Sequence, residues 1–261
     1  MRLKTRSWGE LRPNSVVCIH GVAQHGGVFE PLGRRLAEGG ASVVAVDLRG
    51  HGESGRVPPW DTDTHVADLL ETLDSLGIER ATWIGHSFGG RLAACVAAQA
   101  VERIDRLVLL EPGLEVLPER ALQSAEIERL DWSFATVDGA LNALLSSVSM
   151  VPPPRDAVAR YVEDDVVKGP DGRFRFRFCP SAAVVAWNEV VRPAPRIAPV
   201  PTLIVLAEAS LVERNSHQRR YRETLGDRLT AVTVPNGHNV LWESPVETIA
   251  AIEAFLDSRA D

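Results

Sequence analysis

Cysteine is scarce in this sequence and follows no pattern. The three cysteines, Cys18, Cys95 and Cys179, are odd in number and far apart, with neither a disulfide framework nor the short spacing of metal ligands. Cys18 stands in an apolar strand-like run and Cys95 in an alanine-rich helical one, so both are expected as core thiols. The histidines also lack ligand spacing, and no metal or other cofactor is expected. No uninterrupted apolar run is long enough to span a bilayer. The stretch Met1-Arg2-Leu3-Lys4-Thr5-Arg6 is not apolar, so the expectation is no signal peptide and a reduced, cytoplasmic setting. Positive charge is in deficit: the net charge of -7 argues against nucleic acid or an anionic membrane as the main partner. Internal repeats and low-complexity tracts are lacking.

What is present is the composition of a globular protein, 45% hydrophobic and 24% charged, in 261 residues, enough for a full core. Apolar runs alternate with amphipathic stretches, the pattern of a parallel sheet covered on both faces. Leu3 to Trp8 is a candidate outer strand. Val16 to Ile19, Val43 to Val46, Ala81 to Ile84 and Leu107 to Leu110 read as buried strands. Thr202 to Leu206 and Ala231 to Val234 supply two more strands. Phe29 to Ala37 reads as a helix stopped by Gly39-Gly40, and Val66, Leu69, Leu70, Leu73 and Leu76 recur at helical spacing before Gly77. The last helix has a start signal, with Ser244 as N-cap, Pro245 in the first turn and Glu247 placed to complete a capping box.

The alternation breaks between about Leu114 and Pro199. That interval holds helical stretches (Ala121 to Leu130, Val137 to Leu145), the run Pro152-Pro153-Pro154 and the turn sequence Gly169-Pro170-Asp171-Gly172. Arg173 to Phe178 alternates arginine with phenylalanine, which suits a half-buried strand; nucleic-acid stacking is disfavoured in an acidic chain. The reading is a mainly helical cap (residues 114–199) inserted into an α/β core (residues 1–113 and 200–261).

Chemistry concentrates at Gly85-His86-Ser87-Phe88-Gly89, between the Ala81 strand and a helix expected over Arg91 to Gln99. A serine flanked by glycines at this junction is the sequence of a strained strand-to-helix turn that presents a hydroxyl at the end of a sheet. Glycine is needed there because side chains would collide in so sharp a turn. The following helix points its N-terminal amides at the site.

With His20-Gly21 after an early strand, Asp47-Leu48-Arg49-Gly50-His51-Gly52-Glu53-Ser54 after another, and Gly237-His238 after the last, the chain resembles the α/β-hydrolase superfamily from residue 16 to the C-terminal helix, the cap excepted. The resemblance implies a mostly parallel sheet with helices on both faces and a serine nucleophile, Ser87. A serine hydroxyl needs an adjacent base, and His238 is the candidate. The resemblance also implies an oxyanion hole from the backbone N–H groups of Val22 and Phe88. His86 is expected to pack rather than react, and His51 and Glu53 to hold the turn beside the site. An aspartate nucleophile, as in the superfamily's dehalogenases, is excluded by Ser87.

The third catalytic member departs from the family pattern. The usual aspartate after the cap falls at Ser210, which cannot carry the charge that stabilises imidazolium. Glu111, closing the Leu107 strand ahead of Pro112-Gly113, is the preferred alternative, because a buried carboxylate there would need a partner. Glu208 and Glu213 are fallbacks. His25 is a candidate for the cavity entrance, with a surface loop as its alternative. Trp60, Trp132 and Trp187 are either pocket or packing residues, and Trp187 is the one to examine first.

The function expected is hydrolysis of an ester or lactone of a small, largely apolar molecule by a monomer or homodimer. Carbon–carbon bond hydrolysis, cofactor-free lyase chemistry and a low-turnover receptor are the alternatives.

Overall fold

In the computed structural model, which describes residues 1–147, 155–209 and 214–258, the alternating runs form a sheet covered on both faces. The chain begins with β1 (Lys4–Trp8), β2 (Val16–Ile19), α1 (Glu30–Glu38), β3 (Val43–Asp47), α2 (Thr62–Ser75), β4 (Ala81–His86), α3 (Phe88–Gln99) and β5 (Ile104–Leu110). It then leaves the sheet through α4 (Pro118–Glu128), β6 (Ser133–Phe134), α5 (Val137–Ser147), α6 (Arg155–Asp165), β7 (Val166–Lys168), β8 (Phe174–Phe176) and α7 (Pro180–Glu189). It returns with β9 (Thr202–Ala207), α8 (Arg214–Leu225), β10 (Leu229–Val234), α9 (Val240–Glu243) and α10 (Pro245–Asp257).

Among the described residues the main sheet has seven strands in the order β1-β3-β2-β4-β5-β9-β10. β1 runs antiparallel to β3, and the other neighbours are parallel. β2, β3, β4 and β9 are buried along their whole length, which explains apolar runs without alternation. α1 buries Leu32 and Leu36 on one face, and Gly33 lets the ring of Trp8 lie against the helix. α2 starts where the Asp61 carboxylate accepts the Thr64 N–H, and it stops before Gly77 at φ +70°.

The helix start expected at Ser244 differs in detail. Ser244 does precede α10, but its hydroxyl donates to the Pro235 carbonyl at 2.7 Å and accepts from the Asn236 amide at 3.1 Å. No capping box forms, because the hydroxyl is turned back to hold the β10–α9 loop.

The insertion is helical with one small addition. β8 is the middle strand of a three-stranded antiparallel sheet in the order β6-β8-β7, and Gly169–Gly172 makes the turn between β7 and β8. The alternation seen in the sequence resolves accordingly: Phe176 and Phe178 are buried, while Arg175 and Arg177 pair with Asp171 and Glu53. α4 packs on α7, and the small side chains Ala121 and Ala125 of α4 are buried.

Arg91, buried in α3, ties both roots of the insertion to the core. Its guanidinium donates to the Leu114 carbonyl at 2.8 Å, the Arg192 carbonyl at 3.1 Å and the Pro193 carbonyl at 3.2 Å. Pro152 to Pro154, Ser210 and Glu213 lie outside the described residues. Among the described residues no helix is long and apolar enough to cross a membrane.

Candidate active site

The loops at the C-terminal ends of β2, β4, β5 and β10 meet at one point, where parallel α/β sheets place their ligands. Ser87 stands between β4 and α3 at φ 53°, ψ −117°, a conformation that costs a non-glycine residue energy. Glycine makes the turn possible. A Cβ on Gly85 would fall 2.3 Å from the Gly89 carbonyl oxygen, and one on Gly89 would fall 2.1 Å from that of Ile19.

Three more non-glycine residues have positive φ among the described residues: Ala23 at 55°, Glu111 at 44° and Asn236 at 66°. Each lies in a loop of this site, beside Val22, at the end of β5 and before Gly237-His238 respectively. Backbone strain held by the surrounding fold clusters at functional sites.

The Glu111 carboxylate is buried. One oxygen accepts the Ala207 N–H at 2.7 Å, and the other lies 3.1 Å from Nδ1 of His238. The Glu111 backbone N–H donates to the Val205 carbonyl at 2.9 Å, extending the β5–β9 ladder by one residue and aiming the side chain toward β9. Glu208, by contrast, is exposed just beyond β9.

Ser87 and His238 face the same cavity. The Ser87 hydroxyl makes no capping bond to α3. Ser87 Oγ and His238 are not hydrogen-bonded to each other among the described residues; such contacts often tighten only when substrate enters. Val22 lines the cavity, and Phe88 opens α3 with its ring buried. Neither amide N–H is engaged among the described residues, whereas the neighbouring Gly21 N–H is taken by Gln24 at 3.0 Å.

Two bracing residues carried no signal in the sequence. Glu243 accepts the N–H groups on either side of His238, from Gly237 at 2.6 Å and from Asn239 at 3.0 Å. Gln24 accepts the Gly21 N–H, sits 3.1 Å from Nδ1 of His86 and donates to Asn239 at 3.1 Å, joining three loops. A glutamate five residues after a candidate histidine is the sort of spacing a search for loop-bracing carboxylates would find.

His86 packs against the ring of His238 and sits 3.0 Å from its carbonyl oxygen. Burial pushes the His86 imidazole down to about 3, so it is neutral at physiological pH. His51 is buried and sits 3.1 Å from the Arg49 carbonyl, and the Glu53 N–H donates to Asp47; both residues hold the β3–α2 turn.

The structure places His25 neither on the cavity wall nor at the surface. It is buried, accepts the Gly27 N–H at 3.1 Å and stacks on Tyr161 at 4.1 Å. Tyr161 itself reaches the cavity, so His25 backs the wall instead of lining it. Trp132 and Trp187 line the cavity, whereas Trp60 packs against Gly50. The cavity encloses about 450 Å³. Among the described residues no cluster of His, Cys, Asp or Glu is arranged to hold a metal ion.

A strained serine ending a central parallel strand, with a histidine loop and a buried glutamate gathered at the same sheet edge, defines a hydrolase of the α/β class. The chain belongs to the α/β-hydrolase fold family, whose model matches residues 14–245. It is 30% identical to the lipase LipV of Mycobacterium tuberculosis over 98% of each chain. It is 29% identical to the 2-(acetamidomethylene)succinate hydrolase of Mesorhizobium japonicum over 92% of this chain and 87% of that one. A crystal structure of E-2-(acetamidomethylene)succinate hydrolase superposes with a TM-score of 0.84 at 26% identity, covering 98% of this chain and 95% of that one.

Proposed function

We propose that the protein is a serine hydrolase that cleaves an ester or lactone of a small, largely apolar molecule through an acyl-enzyme on Ser87. The observation that carries this reading is the buried Glu111 carboxylate 3.1 Å from Nδ1 of His238, in a loop that shares a cavity with the strained Ser87. A carboxylate there fixes the imidazole tautomer, leaving Nε2 as the base, and it stabilises the imidazolium formed during attack.

His238 takes the Ser87 proton as Oγ bonds to the substrate carbonyl. The charge on the carbonyl oxygen is met by the N–H groups of Val22 and Phe88, with the N-terminus of α3 behind them. His238 then gives the proton to the leaving oxygen, the acyl-enzyme forms, and water repeats the sequence in reverse. No cofactor enters these steps. The segment 114–199 acts as the cap that limits access, and about 450 Å³ suits a small molecule rather than a polymer.

Similarity to a lipase supports the ester reading. Hydrolysis of a succinate derivative, named for another relative, fits the wall less well: one arginine, Arg120, lines the cavity against Glu115 and Glu128, a poor match for a dianion.

A fluorophosphonate probe tests the proposal. Wild type should be labelled and Ser87→Ala should not, and a panel of short p-nitrophenyl esters and lactones should be turned over by wild type alone. A folded wild type that resists labelling would remove the activated serine. Labelling without turnover would favour a low-turnover receptor.

A further inference from the structure

The hydrolytic reading leaves the α4 wall of the cavity without a task. α4 and the residue before it place Leu117, Arg120, Gln123, Ser124, Ile127 and Glu128 on the cavity wall, while Ala121 and Ala125 are buried on another face of the helix. Glu128 ends this stripe. Its carboxyl lies beside the indole nitrogen of Trp187, and that indole N–H is buried without a hydrogen bond of ordinary geometry among the described residues.

Burial pushes the Glu128 carboxyl up to about 7, and no neighbouring charge pulls it back. The other titratable groups on the wall are His86, His238 and Tyr161 on other elements, and Glu115 and Arg120. Arg120 is exposed, eight residues earlier and so about 12 Å away along the helix.

Glu128 is half-buried on an apolar cavity wall, where a carboxylate takes a positive partner or, once a ligand excludes water, a proton. The protein offers none among the described residues. The same cavity presents the rings of Trp132 and Trp187, whose π faces attract cations. The acidic chain also favours the approach of a cation.

We propose that Glu128, with the Trp187 indole beside it, is a specificity-determining subsite that receives a positively charged nitrogen of the substrate, a primary or substituted ammonium. This subsite rests on the reading of the cavity as the substrate site. It narrows the substrate class to small esters or lactones with an apolar body and one cationic group.

Calorimetric titration with hexylammonium chloride and with 1-hexanol, its neutral counterpart, tests the subsite at pH 8 and pH 6. Wild type should bind hexylammonium about tenfold more tightly than 1-hexanol at pH 8. The advantage should largely vanish at pH 6, where a carboxyl titrating near 7 is about nine-tenths protonated. Glu128→Gln should not discriminate at either pH. Equal affinities in wild type, undetectable hexylammonium binding at millimolar concentration, or a preference that survives Glu128→Gln would each overturn the proposal. Where Glu128→Gln does not fold, Glu128→Ala carries the same comparison, because the other titratable groups on the wall are unchanged in it. The readout is binding, so its outcome is separate from whether Ser87 takes the fluorophosphonate label.

Discussion

Nδ1 of His238 and Oε2 of Glu111 lie 3.1 Å apart across 127 residues of sequence. The other Glu111 oxygen is held by the Ala207 N–H, so the carboxylate is fixed between β5 and β9. Glu111→Gln keeps the shape but can present an amide N–H to His238, favouring the wrong tautomer. The expected loss in kcat is about 10³- to 10⁴-fold, the scale of an acid-to-amide change in a serine triad. Glu208→Gln should change kcat less than about threefold, as an exposed surface substitution should. Comparable small losses in both variants, measured on p-nitrophenyl acetate, would remove Glu111 from the triad.

Glu243 grips the histidine loop through two N–H groups and, among the described residues, makes no hydrogen bond to the side chain of Ser87 or His238. It is a positioning residue. Glu243→Ala should lower kcat about 10- to 100-fold, on the scale of a small misplacement of a catalytic group, with KM little changed. Glu243→Gln, which retains one acceptor, should lose less. The rate of fluorophosphonate labelling of Ser87 should fall in parallel. A lower melting temperature with an unaltered labelling rate would mean a structural role alone.

Arg91 joins Leu114 at one root of the insertion to Arg192 and Pro193 at the other. Arg91→Met leaves the buried Leu114 carbonyl unpaired and returns the Arg192 and Pro193 carbonyls of the exposed root to water. A loss of about 1–2 kcal/mol is expected from urea unfolding, with faster proteolysis near residues 114 and 193. A change below about 0.5 kcal/mol would show that the roots hold without the clamp.

His20, His25, His51 and His86 are each pushed down by burial to about 3 from an ordinary value of 6.5. The unfolded chain therefore binds more protons than the folded one between those values. Stability is full above about pH 6.5 and falls as the pH drops toward 3, each histidine contributing up to about 1.4 kcal/mol per pH unit. Asp165 works the other way. Burial raises it from 3.8 to about 7, so its effect costs stability as pH rises from 3.8 to 7. Urea midpoints should fall steeply from pH 6.5 to 4.5, and more steeply in Asp165→Asn. A flat curve in that range would contradict the neutral, buried histidines.

The strands were legible because a parallel sheet buried on both faces demands short apolar runs, and Val16 to Ile19 or Val43 to Val46 can satisfy little else. Ser87 was legible because local sterics alone require glycine at 85 and 89. The Ser244 hydroxyl was misread because its competing partner, the Pro235 carbonyl, is local only once the loop has folded back. His25 was misplaced because its burial comes from Tyr161, 136 residues away.

By itself the sequence determined the order of strands and helices, the elbow at Ser87 and the loop that carries His238, because apolar periodicity and glycine sterics are local properties. Only the tertiary structure decided which carboxylate stands beside His238. The sequence favoured Glu111 because it closes an apolar strand, with Glu208 and Glu213 as fallbacks, but no local pattern says which strands lie side by side. The parallel register that sets Leu110 against Val205 carries Glu111 one residue further, to the Ala207 amide and the His238 imidazole. Strand adjacency is a long-range outcome of packing, and it is what sets Glu111 beside His238.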